Sequence, residues 1–373
     1  MPKKKIKVLF FIYYLGSGGA GRTFLNILNN IDRNRFEPIL VTCNYEGNYE
    51  SYLNQDIKFV KLPTKRLRSA IIPLAKLIRN ERPQVVFSTI PNYNVIAIVA
   101  RLLSFTKARN VVREAAFLGQ NKKENLKLKL YGLFYRFSKR VVALSNGVKQ
   151  NLMDKYDVNP NKIDVIYNPV ELDHIRGSTG IEQIPEEYKR IYQGDAQVIV
   201  TAGRLVREKD HPTLLKAFKK VVETKKAKLV ILGEGPLQDE LENLASQLGI
   251  SENVYFAGFQ TNPYAFLQQS DLFTLTSKNE GFGHVIVEAL AVGTPVVTTN
   301  CKPGAEEILE NGHYGTITPV GDERQLADAI IEALSKSQDD RETIIQKGLS
   351  RANEFDAQEI VKQYEQVFEK TLK

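Results

Sequence analysis

The chain has 373 residues, 43% hydrophobic and 25% charged, with 24 Gly and 15 Pro; at roughly 100 to 200 residues per domain this describes a two-domain globular protein and excludes a disordered or fibrous one. Two distant cysteines, Cys43 and Cys301, and four scattered histidines, His174, His211, His284 and His313, exclude a disulfide framework and a metal site at helical ligand spacing, and fit a reducing compartment. The formal charge is +8, yet residues 1–175 hold 29 Lys and Arg against 13 Asp and Glu, a net of +16 that leaves −8 for the rest, so the N-terminal half is suited to an anionic partner, solubility alone being the other explanation.

The chain opens on Lys3, Lys4 and Lys5 followed by an apolar run from Ile6 to Leu15. No small-residue cleavage pattern follows, so the run reads as a first buried strand and not as a signal peptide. Further short runs rich in β-branched residues follow at 37–42, 84–88, 110–113, 140–144 and 162–167, separated by stretches of helical period. That alternation predicts a parallel sheet covered on both faces. The pattern restarts at 196–201 and continues at 227–232, 254–257, 272–275 and 295–298. Between the two series, residues 171–195 are polar and aperiodic and read as a linker. Phe355, Ile360, Val361, Tyr364, Val367 and Phe368 mark a last amphipathic helix. No run approaches the roughly 18 to 20 apolar residues of a membrane helix.

The expected organisation is therefore α/β, with two doubly wound Rossmann-like domains facing a cleft: an N-terminal domain over 1–170, a linker over 171–195, a C-terminal domain over 196–354 and a helix over 355–373 that crosses back to the N-terminal domain.

Three segments have the residue types for chemistry. Gly16-Ser17-Gly18-Gly19-Ala20-Gly21 follows the first strand and precedes a helix, where backbone N–H groups can approach a phosphate. It lacks the Lys-Ser/Thr of a P-loop and the spacing of a dinucleotide fingerprint, and a turn that needs glycine for packing explains it equally well. Gly203-Arg204-Leu205-Val206-Arg207-Glu208-Lys209 follows the first strand of the second domain, where Arg204 and Lys209 can converge on an anion or form a solvated loop. In Glu280-Gly281-Phe282-Gly283-His284 the glycines are expected to open a helix, with Glu288, just over two turns on, returning to the face of Glu280. A capping Glu280 and a salt-bridged Glu288 are the alternatives, although Glu288 lies among apolar residues.

Together with Leu232-Gly233-Glu234-Gly235-Pro236, Phe256-Ala257-Gly258-Phe259 and Gly293-Thr294-Pro295-Val296-Val297, these motifs resemble, over nearly the whole chain, the family-4 retaining glycosyltransferases of the GT-B fold. The resemblance implies that Arg204 and Lys209 neutralise a donor diphosphate, that Glu280 faces the transferred sugar, and that Glu288 holds the ribose hydroxyls. It implies that Gly18, Gly19 and Ala20 approach the phosphates, that Gly203 and the backbone of Gly281, Phe282 and Gly283 line the donor, and that Gly258 lies near the base. No D-x-D pair is present for a bridging metal, so neither metal nor cofactor is expected. Many relatives carry a histidine after the strand at 110–112; this chain has Arg113 and Glu114 there, which are further sugar or acceptor candidates unless they pair with each other.

The expected activity is transfer of a hexose or N-acetylhexosamine from a nucleotide-sugar, a UDP-sugar first, to a saccharide or polyprenyl-linked acceptor in surface-polysaccharide assembly. Segments 61–79 and 122–140 interleave Lys and Arg with Leu, Ile, Tyr and Phe, suggesting an anionic membrane surface and a cytoplasmic protein peripheral to the inner face of the plasma membrane; helices with an ordinary core face compete with that reading. A nucleotide-sugar epimerase would want acid and base groups that the Glu280 region does not supply, and a phosphorylase would need a cofactor lysine and a longer chain. A nucleic-acid-binding protein would show salt-dependent duplex binding and no sugar turnover; no nucleic-acid partner is expected.

Overall fold

The computed structural model describes residues 5–16, 18–116, 118–119 and 121–373; Lys3, Lys4 and Ser17 of the segments above lie outside them. The chain divides into two compact units, Met1–Pro169 with Asp356–Lys373, and Val170–Phe355.

Unit 1 holds a wholly parallel sheet of β1 (Ile6–Phe11), β2 (Phe36–Thr42), β3 (Lys58–Lys61), β4 (Val85–Thr89), β5 (Arg109–Glu114), β6 (Arg140–Ala143) and β7 (Ile163–Val165), in the order β3-β2-β1-β4-β5-β6-β7. Its central strands are apolar along their length because both faces are covered: Val8, Leu9, Phe10 and Phe11 are all buried. One face is closed by the helix Ala357–Leu372, whose Ile360, Val361, Tyr364, Val367 and Phe368 enter the same core as Phe10, Phe24 and Phe87. The Phe368 ring centroid lies 5.4 Å from that of Phe87 and 5.9 Å from that of Phe10. Glu365 fixes the helix from its polar side, accepting from the Asp32 amide at 2.7 Å and pairing with Arg35 at 2.7 Å. The expected return of the last helix to the first domain is thus a core contact.

Unit 2 repeats the design with β8 (Gln197–Ala202), β9 (Ala227–Leu232), β10 (Val254–Gly258), β11 (Leu272–Leu275), β12 (Val296–Thr299) and β13 (Thr316–Thr318), all parallel, in the order β10-β9-β8-β11-β12-β13. Residues 171–195 depart from the expected linker. They include the short helices Leu172–Gly177 and Glu186–Lys189, and bury Leu172, Ile175, Ile184 and Ile191. Arg176 donates to the Ala291 carbonyl and to Asn353, and Tyr188 to the Ala257 carbonyl. Apolar anchors at irregular spacing leave no periodicity to read, yet each finds a place on unit 2.

Candidate functional site

In both sheets the strand order runs outward in two directions from the first strand, so it reverses between β1 and β4 in unit 1 and between β8 and β11 in unit 2. Open parallel sheets bind ligands outside the carboxyl ends of their strands at such reversals. The glycine turn at 16–21 follows β1, the segment 203–209 follows β8 and the segment 280–284 follows β11, so these three motifs lie at the two reversals.

In unit 2 the loops leaving β8, β9 and β10 are laced together. Gly203 donates to the Leu232 carbonyl at 2.9 Å, and Gly233 to the Gly258 carbonyl at 2.7 Å. Gly233 sits at φ +134°, and a Cβ there would overlap the Gly203 carbonyl oxygen; only glycine lets the two loops meet so closely. Arg204 projects from this edge, exposed, with no side-chain hydrogen bond or ion pair among the described residues. Phe259, directly after Gly258, is also exposed, its amide held by Glu234 at 3.3 Å.

Lys209 ends a 3-10 turn, Arg207–Lys209, and its ammonium pairs with Glu280 across the reversal point. Both side chains are about four-fifths covered, with relative exposures of 22% and 18%. Ser277 donates to the same Glu280 oxygen at 2.8 Å. Two backbone clamps set this geometry: Thr276 donates to the Lys209 carbonyl at 2.9 Å, and the Lys278 amide to the Glu208 carbonyl at 2.8 Å. The loops after β8 and β11 are therefore tied to each other. Next to them, buried His211 has its pKa lowered to about 4, chiefly by desolvation and then by the charge of Lys209.

The loop from Glu280 to Gly283 differs from expectation. The helix begins at His284 and runs to Ala291, with Gly283 as a left-handed cap at φ 91°. Glu280 instead forms a parallel bridge with Pro303, and its carbonyl accepts from Gly304 at 3.0 Å. Glu280 and Glu288 therefore do not share a helical face: the first belongs to the loop, the second, buried, to the helix. Phe282 is buried against Phe355, with centroids 5.5 Å apart, leaving only backbone groups of Gly281, Phe282 and Gly283 to meet a ligand.

In unit 1 the glycine turn leads into the helix Gly19–Asn30, whose N-cap, Gly18, makes no side-chain capping bond and whose first turn holds no acid. Packing requires some of the glycines: a Cβ on Gly21 would overlap the Gly16 carbonyl. Gly18 is different, with an ordinary φ of −80° and nothing within 4 Å of the position a Cβ would take. Its glycine leaves open backbone at the helix N-terminus, next to Gly19 and Ala20, and suits a close-approaching anion.

Two features at this edge carried no sequence signal. Tyr13 and Tyr14 after β1, Tyr45 after β2 and Tyr93 in the first turn of the helix Pro91–Ser104 cluster with centroids 5.1 to 6.1 Å from Tyr13; Tyr14 and Tyr45 are exposed. Beyond β4, Ile90 is held at φ 73°, a strained conformation for a β-branched residue. It borders a pocket of about 510 Å³ with Pro91, Asn92, Lys127, Leu128 and Tyr131.

Arg113 and Glu114 end β5 and, as neighbours on a strand, point to opposite faces. They make no hydrogen bond to each other. Arg113 is fully buried and gives its donors to Tyr364 at 3.0 Å, Thr89 at 3.2 Å and Asn168. Glu114 accepts from Tyr135 and from Asn94 at 3.0 Å, and its other carboxylate oxygen is buried without a partner. Burial pushes its pKa up to about 7 against the opposing pull of the Tyr135 and Asn94 bonds and the Arg113 charge. Neither side chain presents surface to a ligand.

Residues 185–351 match the family model described as glycosyl transferases group 1, and residues 17–174 that described as glycosyltransferase family 4. Among curated relatives, the N-acetylgalactosamine-N,N'-diacetylbacillosaminyl-diphospho-undecaprenol 4-alpha-N-acetylgalactosaminyltransferase of Campylobacter jejuni is 31% identical over 95% of this chain and 97% of its own. The UDP-Gal:alpha-D-GlcNAc-diphosphoundecaprenol alpha-1,3-galactosyltransferase of Escherichia coli is 25% identical over 87% of this chain and 85% of its own. Among solved structures, Anabaena HepE in complex with UDP superposes with a TM-score of 0.85 at 22% identity, over 98% of this chain and 100% of that one.

Proposed function

The chain belongs to glycosyltransferase family 4, and from that premise we propose that it is a retaining, metal-independent enzyme that moves a hexose or N-acetylhexosamine from a UDP-sugar to a lipid-linked saccharide. The observation that carries this reading is the Lys209–Glu280 pair clamped at the strand reversal of unit 2 beside exposed Arg204. When the bond from the anomeric carbon to the diphosphate breaks, negative charge grows on the leaving oxygen while the sugar becomes oxocarbenium-like. Arg204 and Lys209 meet the first charge. Glu280, whose carboxylate Lys209 and Ser277 already orient, faces the second. The anomeric carbon then bonds to the acceptor hydroxyl oxygen, and that hydroxyl's proton leaves with the diphosphate.

Glu288 would take the ribose hydroxyls, its burial making it a strong acceptor once they bind. Two cations set the charge of a diphosphate within one site, which is why no divalent ion is invoked. The two curated relatives named above carry undecaprenol-diphosphate acceptors in their names, and HepE was solved with UDP; both support the donor and acceptor classes. The exposed rings of Tyr14 and Tyr45 suit the apolar face of an acceptor sugar. Acting on such an acceptor, the enzyme would work at the inner face of the plasma membrane, and no helix among the described residues is long and apolar enough to cross it.

The test is UDP release from a panel of UDP-sugars with a lipid-linked saccharide. Lys209→Ala should lower kcat by roughly a hundred- to a thousand-fold, the usual cost of removing one preorganised charge stabiliser. Unchanged turnover in EDTA and an anomeric configuration in the first product equal to that of the donor are expected. Loss in EDTA refutes the metal-independent part, and inversion refutes the retaining part. Full activity of Lys209→Ala refutes the site.

A further inference from the structure

A pocket of about 610 Å³ opens at the amino end of the sheet in unit 1, and its lining includes Arg79, Arg82, Ser104, Phe105, Lys107 and Arg109. Arg82 stands three residues before β4 and Lys107 two residues before β5, whereas the glycine turn, Tyr13 and Tyr14 follow β1 at the carboxyl end of the same sheet. β4 has five residues, so at about 3.3 Å per residue the pocket lies roughly 15 to 20 Å from that carboxyl edge. Its charge is one-sided: no Asp or Glu is among the described residues that line it, against four cations. The helices Ile71–Glu81 and Pro91–Ser104 end here, each presenting about half a negative charge, so a net of about +3 is left over. Arg79 answers one helix end by donating to the Ser104 carbonyl at 3.1 Å and the Leu103 carbonyl at 3.3 Å, and Arg109 donates to the Thr371 carbonyl. Arg82 and Lys107, both exposed, make no side-chain hydrogen bond or ion pair among the described residues.

The aromatic residue at its mouth is as unusual. Phe105 ends the helix Pro91–Ser104 in the left-handed conformation, at φ 54°, where glycine fits without strain and a bulky side chain does not. Its ring is 84% exposed, with the Arg79 guanidinium 5.7 Å from the centroid. Strained residues that persist gather at ligand clamps, and an exposed ring beside a guanidinium is a platform on which a flat base stacks.

We propose that this pocket is a second nucleotide site, separate from the donor site of unit 2, in which a nucleoside diphosphate lays its base on Phe105 and its phosphates against Arg82, Lys107 and Arg109. The volume of about 610 Å³ falls within the roughly 300 to 1,000 Å³ of small-molecule sites. A diphosphate supplies in one molecule the negative charge that the lining lacks, and guanidinium groups take its oxygens in charge-assisted pairs. An inorganic anion would use the cations and leave the strained, exposed ring without a role. The site uses none of the residues of the proposed reaction, so it stands or falls apart from it.

The experiment is isothermal titration calorimetry of the full chain at low salt with UDP and, separately, with inorganic pyrophosphate. The parent should bind UDP at two sites. Arg82→Glu with Lys107→Glu, both at exposed positions, should lose one of them, and Arg204→Ala with Lys209→Ala should keep the one that the first pair loses, all with unchanged circular dichroism. In the Arg204→Ala, Lys209→Ala background, Phe105→Ala should weaken UDP by about 5- to 150-fold, the worth of one stacked base, and leave pyrophosphate binding unchanged. If Arg82→Glu with Lys107→Glu binds UDP as the parent does, the pocket holds no nucleotide and the proposal is overturned, whatever becomes of the donor site. If Phe105→Ala weakens pyrophosphate as much as UDP, or weakens neither, the pocket is no nucleotide site and the proposal is overturned. A parent with a single UDP site that Arg204→Ala with Lys209→Ala abolishes overturns it too, and leaves the proposed function standing. A single site abolished by Arg82→Glu with Lys107→Glu supports this pocket and counts against the donor site.

Discussion

Replacing Glu114 by Gln should change how stability depends on pH more than stability itself. The carboxyl is buried, keeps one oxygen unpartnered, and has its pKa raised from 4.5 to about 7 by burial. Between those values the folded chain holds a proton that the unfolded chain releases, so the contribution of Glu114 is present below pH 4.5 and is lost as pH rises through 7. A shift of this size corresponds to about 3 kcal/mol between the two limits. Glutamine keeps an acceptor for Asn94 and Tyr135 but does not titrate. At roughly 2 to 4 °C per kcal/mol for a unit of this size, the melting temperature of Glu114→Gln relative to the parent should rise by roughly 6 to 12 °C from pH 4.5 to pH 8. Thermal melts followed by circular dichroism at half-unit pH steps measure it. A difference independent of pH would show that Glu114 is ionised in the folded protein and would refute the reasoning.

Other outcomes follow from the same geometry. Ending the chain at Phe355 removes five buried side chains from the core of unit 1; at roughly 1.5 to 3 kcal/mol each this rivals a whole domain's stability, and unit 1 should be open to limited proteolysis while unit 2 resists. Gly21→Ala should lower the melting temperature, because its methyl meets the Gly16 carbonyl, whereas Gly18→Ala should leave it unchanged and weaken substrate binding by titration calorimetry. His211, held neutral with its pKa near 4, makes the parent lose stability as pH falls from 6.5 toward 4; His211→Asn should flatten that acid limb in urea titrations.

The parallel sheets were legible because their central strands are continuous apolar runs. The missed strands, β3 and β13, lie at sheet edges, and their sequences, Lys-Phe-Val-Lys and Thr-Ile-Thr, are too short and polar to stand out. Cations and carboxylates in a glycine context marked Lys209 and Glu280, but not how they meet: the clamps from Thr276 and Lys278 are tertiary and leave no pattern. The start of the helix at His284 was misplaced because a left-handed Gly283 looks, in sequence, like any glycine. Arg113 and Glu114 stood out as charges at a strand end, yet their partners, Tyr364, Asn168, Tyr135 and Asn94, lie between 20 and 251 residues away. The tyrosine cluster leaves no pattern in the sequence because its rings come from the loops after β1 and β2 and from the helix Pro91–Ser104.

The helix that closes unit 1 is made only after the whole of unit 2. During synthesis, residues up to Pro169 emerge first but lack Tyr364, Phe368 and their neighbours, so one face of their sheet stays uncovered. Unit 2, continuous from Val170 to Phe355, has all its residues before then. The order of completion on the ribosome is thus reversed relative to the sequence: the second domain can finish first, and the first must wait, with apolar surface exposed, for residues 356–373.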